Sequence, residues 1–210
     1  MIDVHEPHET VHTWKDFFIH IATIVVGLCI AVGLEQTIEF FHHRRELRVA
    51  REELRADIEE NRRITATDLQ QIHQFQAQLN RDMAILLAHR ATGKPLTAKL
   101  DFTWKFRAIR DAAWKTDQQS GVLSLMPHSE LEHYNFIFVL CDGVMESTGQ
   151  WNTEIEIAKA IANRSPDGQL TPQDTNELIT AISTAQGKLA WTEDLIGFAQ
   201  HGLDDHTYDH

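Results

Sequence analysis

Apolar residues are concentrated near the beginning of this 210-residue chain, where residues 17–34 read FFIHIATIVVGLCIAVGL without a single formal charge. Eleven of these eighteen residues are Phe, Ile, Leu or Val, which together favour insertion at the centre of a membrane by roughly 3 to 6 kcal/mol. A helix of this length is about 27 Å long, close to the thickness of the hydrocarbon core of a bilayer. Ile38, Phe40 and Phe41 extend the apolar character, so the pattern predicts a transmembrane anchor helix over residues 17–41.

The same run has two alternative interpretations. A buried core helix of a soluble protein would keep one polar face, and no polar face lasts through residues 17–34. A cleaved signal peptide would begin with a positive segment, whereas residues 1–16 form a polar His/Glu-rich tail with a net charge of −3. The pattern therefore favours an uncleaved anchor.

Residues 42–91 contain neither Gly nor Pro, and their apolar residues recur at intervals of three, four or seven. This spacing predicts one long charged helix, which serves as a stalk or as the first helix of a bundle. Asn61, Thr65 and Asp68 interrupt a strict heptad pattern, so a bundle helix and a dimeric coiled coil both remain open. The helix is expected to end near residues 92–95, where Gly93 and Pro95 follow it.

Three further helices are predicted over residues 92–203. The first covers Leu100 to Lys115, and a short apolar turn at 122–125 follows it. The second opens at Ser129 with a capping box to Glu132 and carries the apolar residues Phe136 to Leu140. The third begins at Pro172, after a turn at 163–168, and runs to about His201 with Trp191 and Phe198 among its apolar residues.

No stretch alternates with period two for long enough to demand a strand. The expected fold is therefore all-α, with one N-terminal transmembrane helix that continues into a long helix and an antiparallel bundle of about four helices. Residues 204–210 form an acidic, His-containing tail.

Charge and cysteine content limit the possible partners of the chain and the compartment in which it functions. The net charge is −12, and −11 of it lies in the last 83 residues. A surface this acidic repels phosphate backbones, so nucleic acid is excluded as a partner of the C-terminal part. Cys29 and Cys141 are too few for a disulfide framework and imply no oxidising compartment.

The cations that flank the apolar run predict its orientation. Within about twenty residues, the N-terminal side offers only Lys15, and the C-terminal side offers four arginines: Arg44, Arg45, Arg48 and Arg51. In a bacterial inner (plasma) membrane this asymmetry places the C-terminal region in the cytoplasm. The alternative is the opposite orientation, with a periplasmic helical region.

One face of the predicted span carries small and polar residues at helical spacing: His20, Thr23, Gly27, Ala31 and Glu35. Small residues four positions apart allow two membrane helices to approach closely, which is compatible with a homodimer through the span and the stalk. The alternative is that Gly, Ala and Thr are simply frequent in membrane spans.

No phosphate-binding loop, dinucleotide fingerprint, paired-Cys zinc site or nucleophile elbow is present. His5, His8 and His12, and at the other end His206 and His210, have the side chains that bind Zn²⁺ or Ni²⁺ weakly, but neither tail has a rigid scaffold. The region Trp114–Gly121 forms a pocket in one interpretation, together with His128, Glu132, His133 and Asp142. In the other it is a capped helix end. No catalytic, cofactor or metal site is predicted.

The sequence resembles a group of uncharacterised bacterial single-span membrane proteins with an N-terminal anchor helix and a helical C-terminal region. The resemblance rests on HTWKDFF at residues 12–18, GLEQ at 33–36, HHRR at 42–45, EEN at 59–61 and the stretch 114–127. It implies membrane anchorage in a bacterium and carries no catalytic assignment.

These observations favour a membrane-anchored protein-interaction or scaffold module, held in membrane lipid, self-associating, and contacting a protein partner that the sequence does not identify. The alternative is a single-span ligand-sensing bundle that faces the periplasm. An enzyme ranks third, since it would require a pocket that gathers His128, His133 or Asp142.

Overall fold

The computed structural model describes residues 14–96, 98–165, 169–205 and 207, and its regular structure there is entirely helical. Within these ranges four α-helices follow one another: α1 (Trp14–Thr92), α2 (Ala112–Ser120), α3 (His128–Ala162) and α4 (Pro172–Leu203). A single 3₁₀ turn, Val122–Leu125, lies between α2 and α3. The predicted all-α fold, with a long N-terminal helix and a helical bundle, is confirmed.

The chain divides into two compact units between Arg48 and Val49. The described part of the first unit belongs to α1 alone, and every residue from Trp14 to Glu46 is exposed. The apolar run at 17–34 therefore contributes nothing to a core.

The second unit is built around three long helical segments. Helix α4 runs antiparallel to α3. Ser147 contacts Thr192 and Glu154 contacts Lys188, both at 2.7 Å, so residue numbers rise along α3 while they fall along α4. Helix α4 also runs antiparallel to α1, with contacts from His73 to Glu193 and from Asn80 to Gln186, both at 2.8 Å. The centre is filled by apolar side chains from all three segments: Leu54, Ile72, Leu79, Leu86, Ile137, Phe138, Trp151, Ile155, Leu178, Ile182, Leu189 and Ile196.

Helix α1 contributes to this unit through two buried rows with a seven-residue repeat. One row is mainly apolar and consists of Ile58, Thr65, Ile72, Leu79 and Leu86. The other mixes polar and apolar residues and consists of Leu54, Asn61, Asp68, Phe75 and Asp82. Because both rows are buried within one chain, this part of α1 is a bundle helix.

The prediction of a helix over Leu100 to Lys115 is wrong. Residues 99–111, which we call the strap, contain no helical turn, and α2 begins only at Ala112. The strap runs antiparallel to α1 from Asp82 to Asn61, which are twenty-one positions apart on the helix and so about 32 Å apart. Nine residues, from Asp101 to Arg110, cover the same distance, which requires an almost fully extended chain of about 30 to 32 Å.

The strap is held by the polar residues of α1. The backbone N–H groups of residues 101, 107, 110 and 113 donate to side-chain oxygens of Asp82 (3.1 Å), Asp68 (3.2 Å), Asn61 (2.7 Å) and Asp57 (3.2 Å). An extended segment has no internal hydrogen bonds, so its buried backbone groups need outside partners. Asn61 and Asp68, which interrupt the heptad of α1, supply partners to the strap together with Asp82, and Asp57 supplies one to Ala113 at the start of α2.

A sequence signal for the strap does exist. Residues 100–107 read LDFTWKFR and alternate strictly between apolar and polar, and the apolar members are the more buried ones. Period-two alternation is typical of extended chain. Because its large apolar residues suit a helix equally well, this eight-residue pattern does not by itself distinguish an extended segment from a helix.

The other boundaries are set by local residues. Helix α1 ends at Thr92, and Gly93 adopts a left-handed conformation with φ of 65°. Thr171 caps α4 by accepting a hydrogen bond from the Asp174 N–H at 3.0 Å, as Pro172 at the first helical position predicts. The capping box proposed for α3 is wrong, since that helix begins at His128 directly after Pro127.

Candidate interaction surfaces

The first unit offers an exposed apolar helix. In the described part of the chain, α1 is the one helix with a stretch long and apolar enough to cross a membrane, and none of that stretch is buried. Large apolar side chains cover most of its circumference, Phe18, Ile24, Leu28 and Ile30 among them. A surface of this kind is stable in lipid and unfavourable in water.

The small and polar residues of this stretch share one side of α1. The Thr23 hydroxyl donates a hydrogen bond to the Ile19 carbonyl at 2.9 Å, so it does not require a hydrogen-bond acceptor on a second helix. A Cβ atom added at Gly27 would meet nothing within 4 Å, so a second helix has room to approach there. His20, Ala31 and Glu35 are exposed on the same side.

The four arginines of the predicted cationic cluster differ in their surroundings. Arg44, Arg45 and Arg48 belong to the first unit and are exposed. Arg51 belongs to the second unit, where its guanidinium donates to both carboxylate oxygens of the buried Glu130 at 2.7 and 2.6 Å. This hydrogen-bonded pair raises the pKa of Arg51, and the charge of Arg51 is balanced within the bundle.

Four residues considered for a pocket around α2 have separate surroundings. Trp114 is buried and stacks on Phe138 with ring centres 5.1 Å apart, so it is a core residue. His128 pairs with Glu132 on the surface at 3.2 Å, while His133 lies 3.6 Å from Asp205 beyond the end of α4. Burial raises the pKa of Cys141 to about 12, so this thiol is inert packing.

Within the described ranges, no group of three or more His, Cys, Asp or Glu side chains is placed to hold a metal ion. The His-rich ends considered as weak metal ligands, His5, His8, His12, His206 and His210, lie outside the described residues.

Two buried carboxylates stand out electrostatically. Burial raises the pKa of Asp68 and of Asp82 to about 6, although each accepts one backbone hydrogen bond from the strap. The second carboxylate oxygen of Asp68 is buried without a hydrogen-bond partner. Both residues therefore favour the protonated form more than an exposed Asp does.

The second unit has an apolar surface that the sequence did not single out. Four large side chains on the outer side of α3 and α4 are between 54% and 59% exposed: Phe136, Val139, Trp191 and Phe198. A signal for the first two is present, because Phe136 to Leu140 are five consecutive apolar residues. Such a run covers the whole circumference of a helix, and a bundle buries only one face.

A groove of about 860 Å³ lies between α3 and α4 at the opposite end of these helices. Its lining combines apolar side chains such as Ile157 with a charged group, Arg164, that bonds Asp174 at 2.9 Å and Glu177 at 3.0 Å.

Comparisons of this chain with known protein families, with curated proteins and with solved structures find no match.

Proposed function

We propose that this chain is a single-pass protein of a bacterial inner membrane, with a helical bundle that serves as a protein-interaction or scaffold module. The exposed apolar stretch of α1 carries the proposal, since none of it is buried by the rest of the chain. The resemblance to bacterial single-span proteins points the same way.

We further propose that the bundle faces the cytoplasm. Because Arg51 is neutralised by Glu130, its weight as a flanking cation is reduced. Arg44, Arg45 and Arg48 still outnumber Lys15 by three to one, so the direction of the bias is unchanged.

Membrane anchorage is tested by fractionating cells that express the full chain and washing the membranes at alkaline pH. The wild-type chain is expected to stay in the pellet until detergent is added. Ile24→Arg/Leu28→Arg is expected to reduce membrane retention, because each central Arg costs about 2.5 to 3.5 kcal/mol of insertion free energy. Val49→Arg, at an exposed position outside the apolar run, is the matched control. A wild-type chain in the supernatant would overturn the proposal.

Orientation is tested with two C-terminal fusions. A green fluorescent reporter that folds in the cytoplasm is expected to be fluorescent, and an alkaline phosphatase reporter, which needs the periplasm, is expected to be inactive. The reverse result would reject the cytoplasmic orientation and leave the anchor intact.

The second candidate function is ligand sensing by a periplasmic bundle, and the groove at Ile157 and Arg164 favours it. A panel of small anions and cations added to the full chain in detergent would test this function through the melting temperature. Stabilisation by one compound that is lost in Arg164→Gln supports sensing. No shift across the panel, together with a cytoplasmic reporter result, would reject it.

A further inference from the structure

The outer side of the α3–α4 pair presents one continuous apolar face. Trp191 and Phe198 are seven residues apart and so lie on one side of α4, with the half-buried Leu195 between them. On α3, Phe136 and Val139 are three residues apart and equally share a side. We call these residues, with Leu140, the α3–α4 face.

The packing of the two helices joins these stripes. Gly202 of α4 lies against α3, since a Cβ atom added there would be 3.6 Å from the ring of Phe136 and 3.7 Å from Leu140. Phe198 is one helical turn before Gly202, on the part of α4 next to that contact. The two stripes therefore border the same seam and form one surface.

The two helices that form the α3–α4 face are strongly acidic. Helices α3 and α4 carry ten carboxylates and two lysines between them. Lys188 is bonded to Glu154 at 2.7 Å and Lys159 to Glu156 at 2.7 Å, so both cations are already paired. Glu146 and Asp194 are exposed and flank the apolar residues.

We propose that the α3–α4 face binds an amphipathic helix of a partner protein, with an apolar stripe flanked by Lys and Arg. The proposal rests on the interaction function proposed above and specifies the chemistry of the partner. Apolar residues at helical spacing would cover the four exposed side chains, and the flanking cations would meet Glu146 and Asp194. A second copy of the same face would bring like charges together, and anionic lipid would be repelled for the same reason.

The experiment uses the full chain in nanodiscs of zwitterionic phosphatidylcholine and a fluorescent fourteen-residue peptide of Leu and Lys with helical periodicity. The matched probe replaces every Lys by Glu. Binding is followed by anisotropy, with the signal of empty nanodiscs subtracted. The basic peptide is expected to bind and the acidic peptide is not.

Variants of the apolar part locate the binding. Trp191→Ala/Phe198→Ala is expected to weaken binding at least tenfold, because exposed aromatic side chains are common anchors of interfaces. Leu87→Ala removes a comparably exposed apolar side chain from α1 and is expected to change nothing. Equal weakening by both variants would overturn the proposal.

Variants of the charged part separate specific recognition from general attraction to an acidic protein. Glu146→Gln/Asp194→Asn is expected to weaken binding severalfold at low salt and less at high salt. Glu53→Gln/Glu60→Gln removes two charges elsewhere and is the matched control. An equal effect of the two pairs would overturn the proposal.

A benzophenone side chain at position 198 identifies what covers the face. A cross-link to the basic peptide supports the proposal, whereas a cross-link to a second copy or to lipid, unchanged by the peptide, would overturn it. Insertion into the nanodisc is itself a readout of anchorage. A chain that inserts without binding rejects only this inference, and a chain that does not insert counts against the proposed function.

Discussion

The amide side chain of Asn61 pairs with the backbone of Arg110 through two hydrogen bonds, each 2.7 Å long. Its oxygen accepts from the Arg110 N–H and its nitrogen donates to the Arg110 carbonyl. The Asn61 side chain thus makes the two backbone hydrogen bonds that a neighbouring β-strand would make with an extended segment. Asn61 is fully buried, so neither atom has water as an alternative partner.

Replacing Asn61 by Leu, which has a similar volume, is expected to lower the free energy of unfolding by about 2 to 4 kcal/mol. The substitution removes the hydrogen-bond partner of both backbone groups of Arg110. Urea unfolding of the full chain in detergent, followed by tryptophan fluorescence, measures the change. Asn176→Leu, at an exposed position of α4, is the control, and an equal loss there would contradict the assigned role.

The buried carboxylates Asp68 and Asp82 are expected to make stability depend on pH. With pKa values of about 6 in the folded chain and ordinary values when unfolded, they bind more protons in the folded state between about pH 4 and 6. Their contribution to stability therefore falls as pH rises through this window.

Asp68→Asn/Asp82→Asn removes this dependence and keeps hydrogen-bond acceptors for the strap. The stability of this variant relative to wild type is expected to grow between pH 4.5 and 7.5 by about 1 kcal/mol per residue, after allowance for water around the strap. Urea unfolding of both proteins at the two pH values measures it. A relative stability that shrinks as pH rises would show that the ionised forms are favoured.

Trp151 is the centre of an aromatic cluster that attaches the strap to the core. Its ring lies 5.7 Å from Phe75 of α1, 4.6 Å from Trp104 and 6.3 Å from Phe106, the last two on the strap. Trp151→Ala is expected to cost about 3 to 5 kcal/mol of unfolding free energy. Trp191→Ala removes an exposed indole and is expected to cost less than about 0.5 kcal/mol, so similar losses in thermal unfolding would contradict the assigned burial.

The pair of Arg51 and Glu130 is expected to be sensitive to removal of the cation alone. Arg51→Met leaves the buried Glu130 carboxylate without its partner and is expected to destabilise the chain by about 3 kcal/mol. Arg51→Met/Glu130→Leu is expected to recover most of the loss. Arg63→Met, which breaks exposed pairs with Glu59 and Glu60, is the control in the same unfolding assay.

Self-association through the membrane stretch is expected to depend on Gly27. Gly27→Ile fills the open position on the small face and is expected to halve the mass of the detergent-solubilised chain, measured by light scattering. Gly33→Ile adds the same side chain on another side of α1 and is expected to leave the mass unchanged. A monomer in the wild type, or the same mass in all three proteins, would rule out this dimer.

Sequence reasoning succeeded where structure is decided locally. The end of α1 at Gly93, the start of α4 at Pro172 and the all-α fold all follow from neighbouring residues or from helical periodicity. It failed at the strap because the partners of the Asp101 and Arg110 backbone groups lie 19 and 49 residues away. The apolar faces of α3 and α4 were equally ambiguous, since Phe136 and Phe138 look alike in the sequence.

The sequence by itself determined the apolar run at 17–34, its flanking charges and the helical periodicity that follows, because these are properties of adjacent residues. Only the tertiary structure decided that Asn61, Asp68 and Asp82 are buried against an extended segment, and that Phe136, Val139, Trp191 and Phe198 remain exposed. A helix with apolar residues on every side cannot itself determine which of them is covered. That choice depends on where its neighbours pack.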